Sequence, residues 1–227
     1  MISRSQLSDD VANYVRQLIV SGQARPGSRV RPEAIASQLG VSSTPAREAL
    51  QALRAEGFLL LEAGRGFAVA PLVGNDIRDV FTAQSLLAGE LVARAALRAE
   101  PSDLESLESI QYDIEHAATG DEMEALNHQF HRTVNLLAGA PKIAAILRIL
   151  NNYVPHRFYS SVGGWRDATL NDHKHILAAM RARDPEAARA AMAVHVVNAG
   201  ELLAQHFDAR LLDEDAGVDP GAGPSGY

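Results

Sequence analysis

Apolar positions along the first seventy residues mark three helical segments and then two short strand-like runs. From Gln6 to Gly22, the residues Leu7, Val11, Tyr14, Val15, Leu18 and Ile19 recur at helical spacing, and Gly22 is placed to end the helix. Arg25-Pro26-Gly27-Ser28 predicts a turn, and Pro32 then opens a second helix through about Leu39. Gly40 breaks it, and a third helix is predicted from about Ser43 to Glu56. Phe58–Leu61 and Phe67–Ala70 flank Ala63-Gly64-Arg65-Gly66, the pattern of a β-hairpin, and Pro71 closes the segment. Beyond it the strand signal nearly vanishes. Helices are predicted at roughly 74–99, 101–118, 121–138, 141–162, 166–183 and 185–207, punctuated by Pro101, Gly120, Pro141, Gly163-Gly164 and Pro185.

The expected fold is mainly α. Three helices and a hairpin wing over 1–70 precede an all-helical bundle over 71–212, and a tail rich in Asp, Gly and Pro, 213–227, is expected to be disordered.

Charge adds an asymmetry to this division. The 227 residues carry a net charge of −7, yet residues 1–70 hold eight arginines against six acids, an excess of +2. The rest holds thirteen basic and twenty-two acidic side chains, a balance of −9. A mildly basic head on an acidic body suits a nucleic-acid-binding module joined to a regulatory one. With zero cysteines, disulfides and thiolate metal sites are excluded. No run of about 18 consecutive apolar residues is present, and Met1–Asp10 has no signal-peptide core, so a cytoplasmic protein without membrane spans is expected.

The segment Pro32–Leu53 has the demands of a helix-turn-helix. The first helix needs a small residue where the second crosses it, and Ala36 fits. Four residues on, the turn needs a positive φ, which Gly40 adopts at low cost. Val41 is suited to fill the space between the helices, Ser42 or Ser43 to cap the second, and Pro45 to its first turn, while Ala49, Leu50 and Leu53 form the buried stripe. Ser43, Thr44 and Arg47 then project from its exposed N-terminal half, the part that enters a major groove. Arg65, between two glycines of the wing, has the reach for a phosphate or a minor groove. The candidate DNA-contacting set is Arg31, Ser42, Ser43, Thr44, Arg47, Arg65 and Gly66.

These residues resemble the winged-helix domain of the GntR family over 7–70. The resemblance is carried by Pro26-Gly27, Gly40-Val41-Ser42, Thr44-Pro45-x-Arg47-Glu48-Ala49-Leu50, and Glu56-Gly57 ahead of Gly64-Arg65-Gly66. Two positions depart from it: the family usually has Arg where this chain has Ser43, and Val where it has Ala46. The first departure removes an expected guanine or phosphate contact.

In the predicted bundle, three of the eight histidines sit inside apolar stripes of three helices. His131 lies with Met123, Leu126, Phe130, Val134 and Leu137, and Asn127 is on the same face one turn away. His173 lies among Leu170, Ile176, Leu177 and Met180, and His195 among Ala188, Ala191, Met192, Ala199, Leu202 and Leu203. Buried imidazoles need partners. Each could make its own core hydrogen bond; converging with Asn127, they would form a nitrogen-and-oxygen site for Zn, Ni, Mn or Fe with positions open to a ligand. His116, His128, His156, His175 and His206 lack this arrangement and are read as structural or solvated.

The second part is similar to the FCD effector domain of the FadR-type GntR subfamily, on Asn127-x-x-Phe130-His131, Asp172-His173-x-x-Ile176-Leu177, and Arg183-Asp184-Pro185-x-Ala187-Ala188 leading to His195. The resemblance implies a divalent metal on an Asp or Asn and three histidines, contacted by a small organic acid. Asn127 stands where many members have Asp, and Leu86 where many have Arg one turn before the glutamate matching Glu90. The anion-clamping role then passes to Arg94 or Arg157, each of which is otherwise a surface cation. The implied protein is a homodimeric repressor of operator DNA responding to a small acid. A metalloenzyme on the three histidines is a rival, though no H-E-x-x-H glutamate is present. So is a DNA-binding protein whose helical part only dimerises.

Overall fold

The computed structural model describes residues 4–154, 159 and 163–216, and these fall into two compact units, one around 4–73 and the other around 74–152 and 163–209.

The first unit contains α1 (Arg4–Val20), β1 (Arg29–Val30), α2 (Pro32–Leu39), α3 (Ser43–Ala55), β2 (Leu59–Glu62) and β3 (Gly66–Val69). Its core joins Val11, Val15 and Ile19 of α1 to Ile35 and Ala36 of α2, Ala49, Leu50 and Leu53 of α3, and Phe58, Leu59 and Phe67 of the wing. Gly40 has φ 67°, the left-handed conformation the turn requires, and the N–H groups of Gly40 and Val41 both reach the Ala36 carbonyl. Arg16 is buried, donates to Glu56 at 2.7 Å and lies over the Phe58 ring, tying α1 to the end of α3.

Two details differ from the sequence reading. The wing is one side of a three-stranded antiparallel sheet of order β1-β3-β2, with Val30 opposite Phe67 and Leu61 opposite Phe67 from the other side. A two-residue strand has too few positions to show alternation, so β1 is invisible to a period count. Ser42 takes the N-cap position of α3 in an extended conformation, but its hydroxyl makes no capping bond, and Ser43 is already the first helical residue.

The second unit contains α4 (Gly74–Arg98), α5 (Pro101–His116), α6 (Gly120–Leu137), α7 (Pro141–Leu150), a single 3₁₀ turn (Asn151–Tyr153), α8 (Trp165–Arg181) and α9 (Pro185–Ala216). Helix α4 packs on α6, α7 and α8, and α5 packs on α6 and α8. α4 is long and apolar enough to cross a membrane by length and composition, but 56% of its most apolar window is buried inside the protein. α7 stops at Leu150, twelve residues short of the expected 162. Asn151 and Asn152 favour turns, and Pro155 disfavours a helical residue before it; Pro155 and the end of the predicted helix lie outside the described residues. α9 continues to Ala216, past the expected end at 207 and into the segment read as tail, because neither glycine nor proline interrupts 201–216. Residues 217–227 lie outside the described residues.

α4 and α9 run antiparallel in close contact. The Gly74 N–H donates to Asp208, and Arg78 bonds Glu201 at 2.8 Å and Asp208 at 3.1 Å. A Cβ on Gly89 would stand 3.1 Å from the Arg189 side chain, and one on Gly200 only 2.5 Å from the Phe81 Cβ.

A candidate nucleic-acid interface and a candidate metal centre

The exposed side of α3 begins with Ser43 and Thr44 and continues one turn later with Arg47, all solvent-facing, while Pro45, Ala46, Ala49 and Leu50 face the core. The Arg47 guanidinium donates to Glu33 of α2 at 2.9 Å, with both side chains about 60% exposed. An exposed pair of this kind contributes little and exchanges readily for a phosphate or base. Arg31 precedes α2 as its extended N-cap residue and is exposed. At the wing, Arg65 is exposed beside Glu62 at 3.9 Å, between Gly64 and Gly66, both with positive φ. The predicted DNA-contacting residues are thus exposed on the turn, on the first half of α3 and at the wing tip.

The second site is built on α5, α6, α8 and α9. Thr119 starts α6 by accepting the Glu122 N–H at 3.2 Å, and the helix then carries Asn127 and His131 one turn apart. α8 supplies His173 and α9 supplies His195. The available nitrogens of His131, His173 and His195 all lie within 4.8 Å of one another. The Nε2 atoms of His131 and His195 are 3.2 Å apart. Two nitrogens bound tetrahedrally at about 2.0–2.1 Å would be separated by roughly 3.3–3.4 Å.

The outer nitrogens are held by other side chains. His195 Nδ1 lies 3.4 Å from a carboxylate oxygen of Asp172, which also receives Asn198 Nδ2. His173 Nδ1 lies 2.8 Å from Gln111 Oε1. Phe130 stacks on the His173 ring with centroids 4.1 Å apart. Of the three buried side-chain atoms without a hydrogen-bond partner among the described residues, one is Arg16 Nε and two belong to the second unit, His173 Nε2 and Asn127 Oδ1. Such orphans each cost about 1–3 kcal/mol. A divalent ion accepting both lone pairs would satisfy them, so the donor set fits one.

Burial holds His131 and His173 well below the ordinary imidazole range, and the neighbouring His195 lowers them further. Asp172 is lowered, first by its bond from His195. The unfolded histidine titrates near 6.5, so below that pH the unfolded chain binds protons that the folded chain refuses. Stability of the metal-free protein is therefore lost as pH falls from about 6.5 towards the depressed folded values, by at most about 1.4 kcal/mol per pH unit for each histidine. The depressed Asp172 acts in the same direction but in a lower window: it adds stability above the ordinary carboxylate value, near 4, that is lost as pH falls through its lowered one. The melting temperature in chelator is expected to drop between pH 7 and pH 5.5; a flat profile would contradict buried, neutral imidazoles.

His128 and His175 are exposed, and His116 stacks on Tyr112 with its Nδ1 2.7 Å from the Tyr112 carbonyl. Arg94 is exposed on α4 and bonded to Glu90 at 2.6 Å, and the other Glu90 oxygen receives Arg189. Arg157 and His156 lie outside the described residues. Gln111 escaped the sequence reading, and Asp172 entered it only as part of a resemblance. A glutamine between Leu107, Ile110 and Ile114 is a polar residue at a core position, the signal that pointed to it.

Residues 7–69 match the family described as bacterial regulatory proteins, gntR family, and residues 79–198 match the FCD domain. An HTH-type transcriptional regulator of Mycobacterium tuberculosis (strain CDC 1551 / Oshkosh) is 30% identical over 214 residues, covering 94% of this chain and 88% of that protein. The probable D-xylose utilization operon transcriptional repressor of Paenarthrobacter nicotinovorans is 30% identical over 201 residues, covering 86% and 88%. Among solved structures, Escherichia coli McbR aligns with a TM-score of 0.67 at 24% identity, over 91% of this chain and all of that one, a likeness of fold. A winged helix-turn-helix ahead of such a helical domain defines a DNA-binding regulator. The chain belongs to the GntR family of transcriptional regulators, with an FCD domain as its second part.

Proposed function

We propose that this regulator is a cytoplasmic homodimeric repressor, not an enzyme, whose hold on operator DNA is changed by a small organic acid at a metal centre. One observation carries the sensing half: among the described residues the buried His173 Nε2 has no hydrogen-bond partner and stands in a cluster with two further histidines, and Asn127 Oδ1, one turn before His131 on α6, is likewise buried and unpaired. His131, His173, His195 and Asn127 would hold the ion, which is Zn, Ni, Mn or Fe. When bound, it supplies a Lewis-acidic position for a carboxylate oxygen. The anion's remaining charge falls to Arg157 or to Arg94, the latter only on release from Glu90.

The packing around His195 supports a response to ligand. The seam beside it, lined by Trp165, Thr169, Asp172, Asn198 and Leu202, is too tight for a water-sized sphere. A carboxylate entering there has to part α8 from α9, so it favours a different helix arrangement from the empty domain. Leu86 on α4 and Val194 and Val197 on α9 are exposed apolar side chains, which would suit contact with a second copy. Two copies would present two winged helices to a pseudo-palindromic operator. Repression is supported by the Paenarthrobacter relative, a probable transcriptional repressor of a D-xylose utilization operon.

For the DNA half, Arg31, Ser42, Ser43, Thr44 and Arg47 are the proposed contacts of the helix-turn-helix, with Arg65 and Gly66 on the wing. Arg47→Ala should weaken operator binding by about 1–3 kcal/mol in a mobility-shift titration at fixed salt. Arg65→Ala should weaken it with less change in sequence preference. Equal affinity of Arg47→Ala and wild type would remove α3 from the groove. For the sensing half, a thermal-shift screen of small organic acids, run with and without chelator, should find an acid that raises the melting temperature only when metal is present.

A further inference from the structure

Three features of the structure bear on His173, and only one of them distinguishes its two nitrogens. The Phe130 ring, 4.1 Å away and tilted by 14°, fixes the plane of the imidazole. A stack is indifferent to a half-turn of the ring within that plane, and burial is indifferent too. The Gln111 carboxamide is not.

Gln111 is 5% exposed on α5. Its Nε2 donates to Glu115 Oε1 at 3.3 Å, one turn further along the helix, and a carboxylate only accepts. That contact settles which end of the amide is which and leaves Oε1 facing His173 Nδ1 at 2.8 Å. An amide oxygen cannot donate, so Nδ1 must carry the hydrogen. A neutral imidazole has one N–H, so Nε2 is a bare lone pair, the buried atom found without a partner.

We infer that Gln111 is the positioning residue of the histidine cluster: it holds His173 in the Nδ1–H tautomer and so turns the Nε2 lone pair towards His131 and His195 as a ligand for a divalent cation. This rests on the metal reading above. Asp172 acts in the same sense on His195, but through a longer contact of 3.4 Å and with a charge. Gln111 does it with a neutral oxygen, which fixes the tautomer without adding negative charge to the centre.

The test uses the full-length protein with ¹⁵N-labelled histidine, stripped of metal, with the His173 resonances assigned by comparison with His173→Ala. Wild type should show the Nδ1–H pattern at His173. Gln111→Leu, which keeps the bulk and removes the acceptor, should shift it to the Nε2–H form or a mixture, and Gln111→Glu should restore Nδ1–H. Zinc affinity from competition with a chromophoric chelator should then fall about 10–100-fold in Gln111→Leu and recover in Gln111→Glu. An Nε2–H resonance for His173 in wild type overturns the inference even if Gln111→Leu does not fold. So does zinc affinity equal in wild type and Gln111→Leu, while the metal reading survives. A wild type that shows Nδ1–H but takes up no zinc, nickel or manganese defeats the metal reading itself, and the ligand role with it.

Discussion

Alanine at His131, His173 or His195 is expected to abolish stoichiometric metal binding, with each single variant losing more than the roughly 10–100-fold in affinity that loss of an outer partner costs. Nitrogens that lie within 4.8 Å of one another act through one ion if they act on an ion at all. Removing one breaks the set, so double variants should be little worse than singles. His128→Ala and His175→Ala serve as controls, because both side chains are exposed and outside the cluster. Asn127→Asp should bind at least as tightly, since it places a charged oxygen where a neutral one now lies buried. Elemental analysis of untagged protein decides the matter. Full occupancy in all three single variants would sink the shared centre, and the DNA-binding surface would be untouched by that result.

The second large effect is on stability. Phe130→Ala should cost about 3–5 kcal/mol, the range for emptying an aromatic site in a well-packed core. Phe130 is fully buried, stacks on His173 and meets the edge of His131 with centroids 5.6 Å apart. At about 2–4 °C per kcal/mol for a chain of this size, the melting temperature falls by roughly 6–20 °C. Phe130→Leu should lose much less. Calorimetry in chelator isolates the packing contribution from any metal. A shift under a few degrees for the alanine variant would mean that neighbouring side chains close the space, and that the ring does not brace the histidines.

Much of this was legible in the order of residues, and the exceptions share a cause. Ala36, Gly40, Leu50 and Leu53 announce the helix-turn-helix because its geometry is set by neighbours a few residues apart. His131, His173 and His195 stood out because an imidazole at a stripe position is costly without a partner. What stayed hidden depends on packing between distant segments. The Gln111–His173 bond spans 62 positions and the His195–Asp172 contact 23, and neither spacing carries a local period. The pairing of β1 with β3 is likewise long-range. Helix ends failed differently: α7 stops early at two asparagines, and α9 runs on because polarity alone does not stop a helix.

The glycine contacts between α4 and α9 limit how the second unit can deform. Gly200 meets Phe81 so closely that any side chain there would force the contact to shift, Gly89 sits tightly against Arg189, and Arg78 grips Glu201 and Asp208 at one end. Sliding one helix along the other by a residue or two would drive side chains into backbone and break those ion pairs at once. The pair should therefore travel as a single girder, resisting shear along its length and showing the slowest amide exchange in the unit. Any rearrangement would then fall to the other seams, where α6 and α8 carry His131 and His173 past a girder that already holds His195.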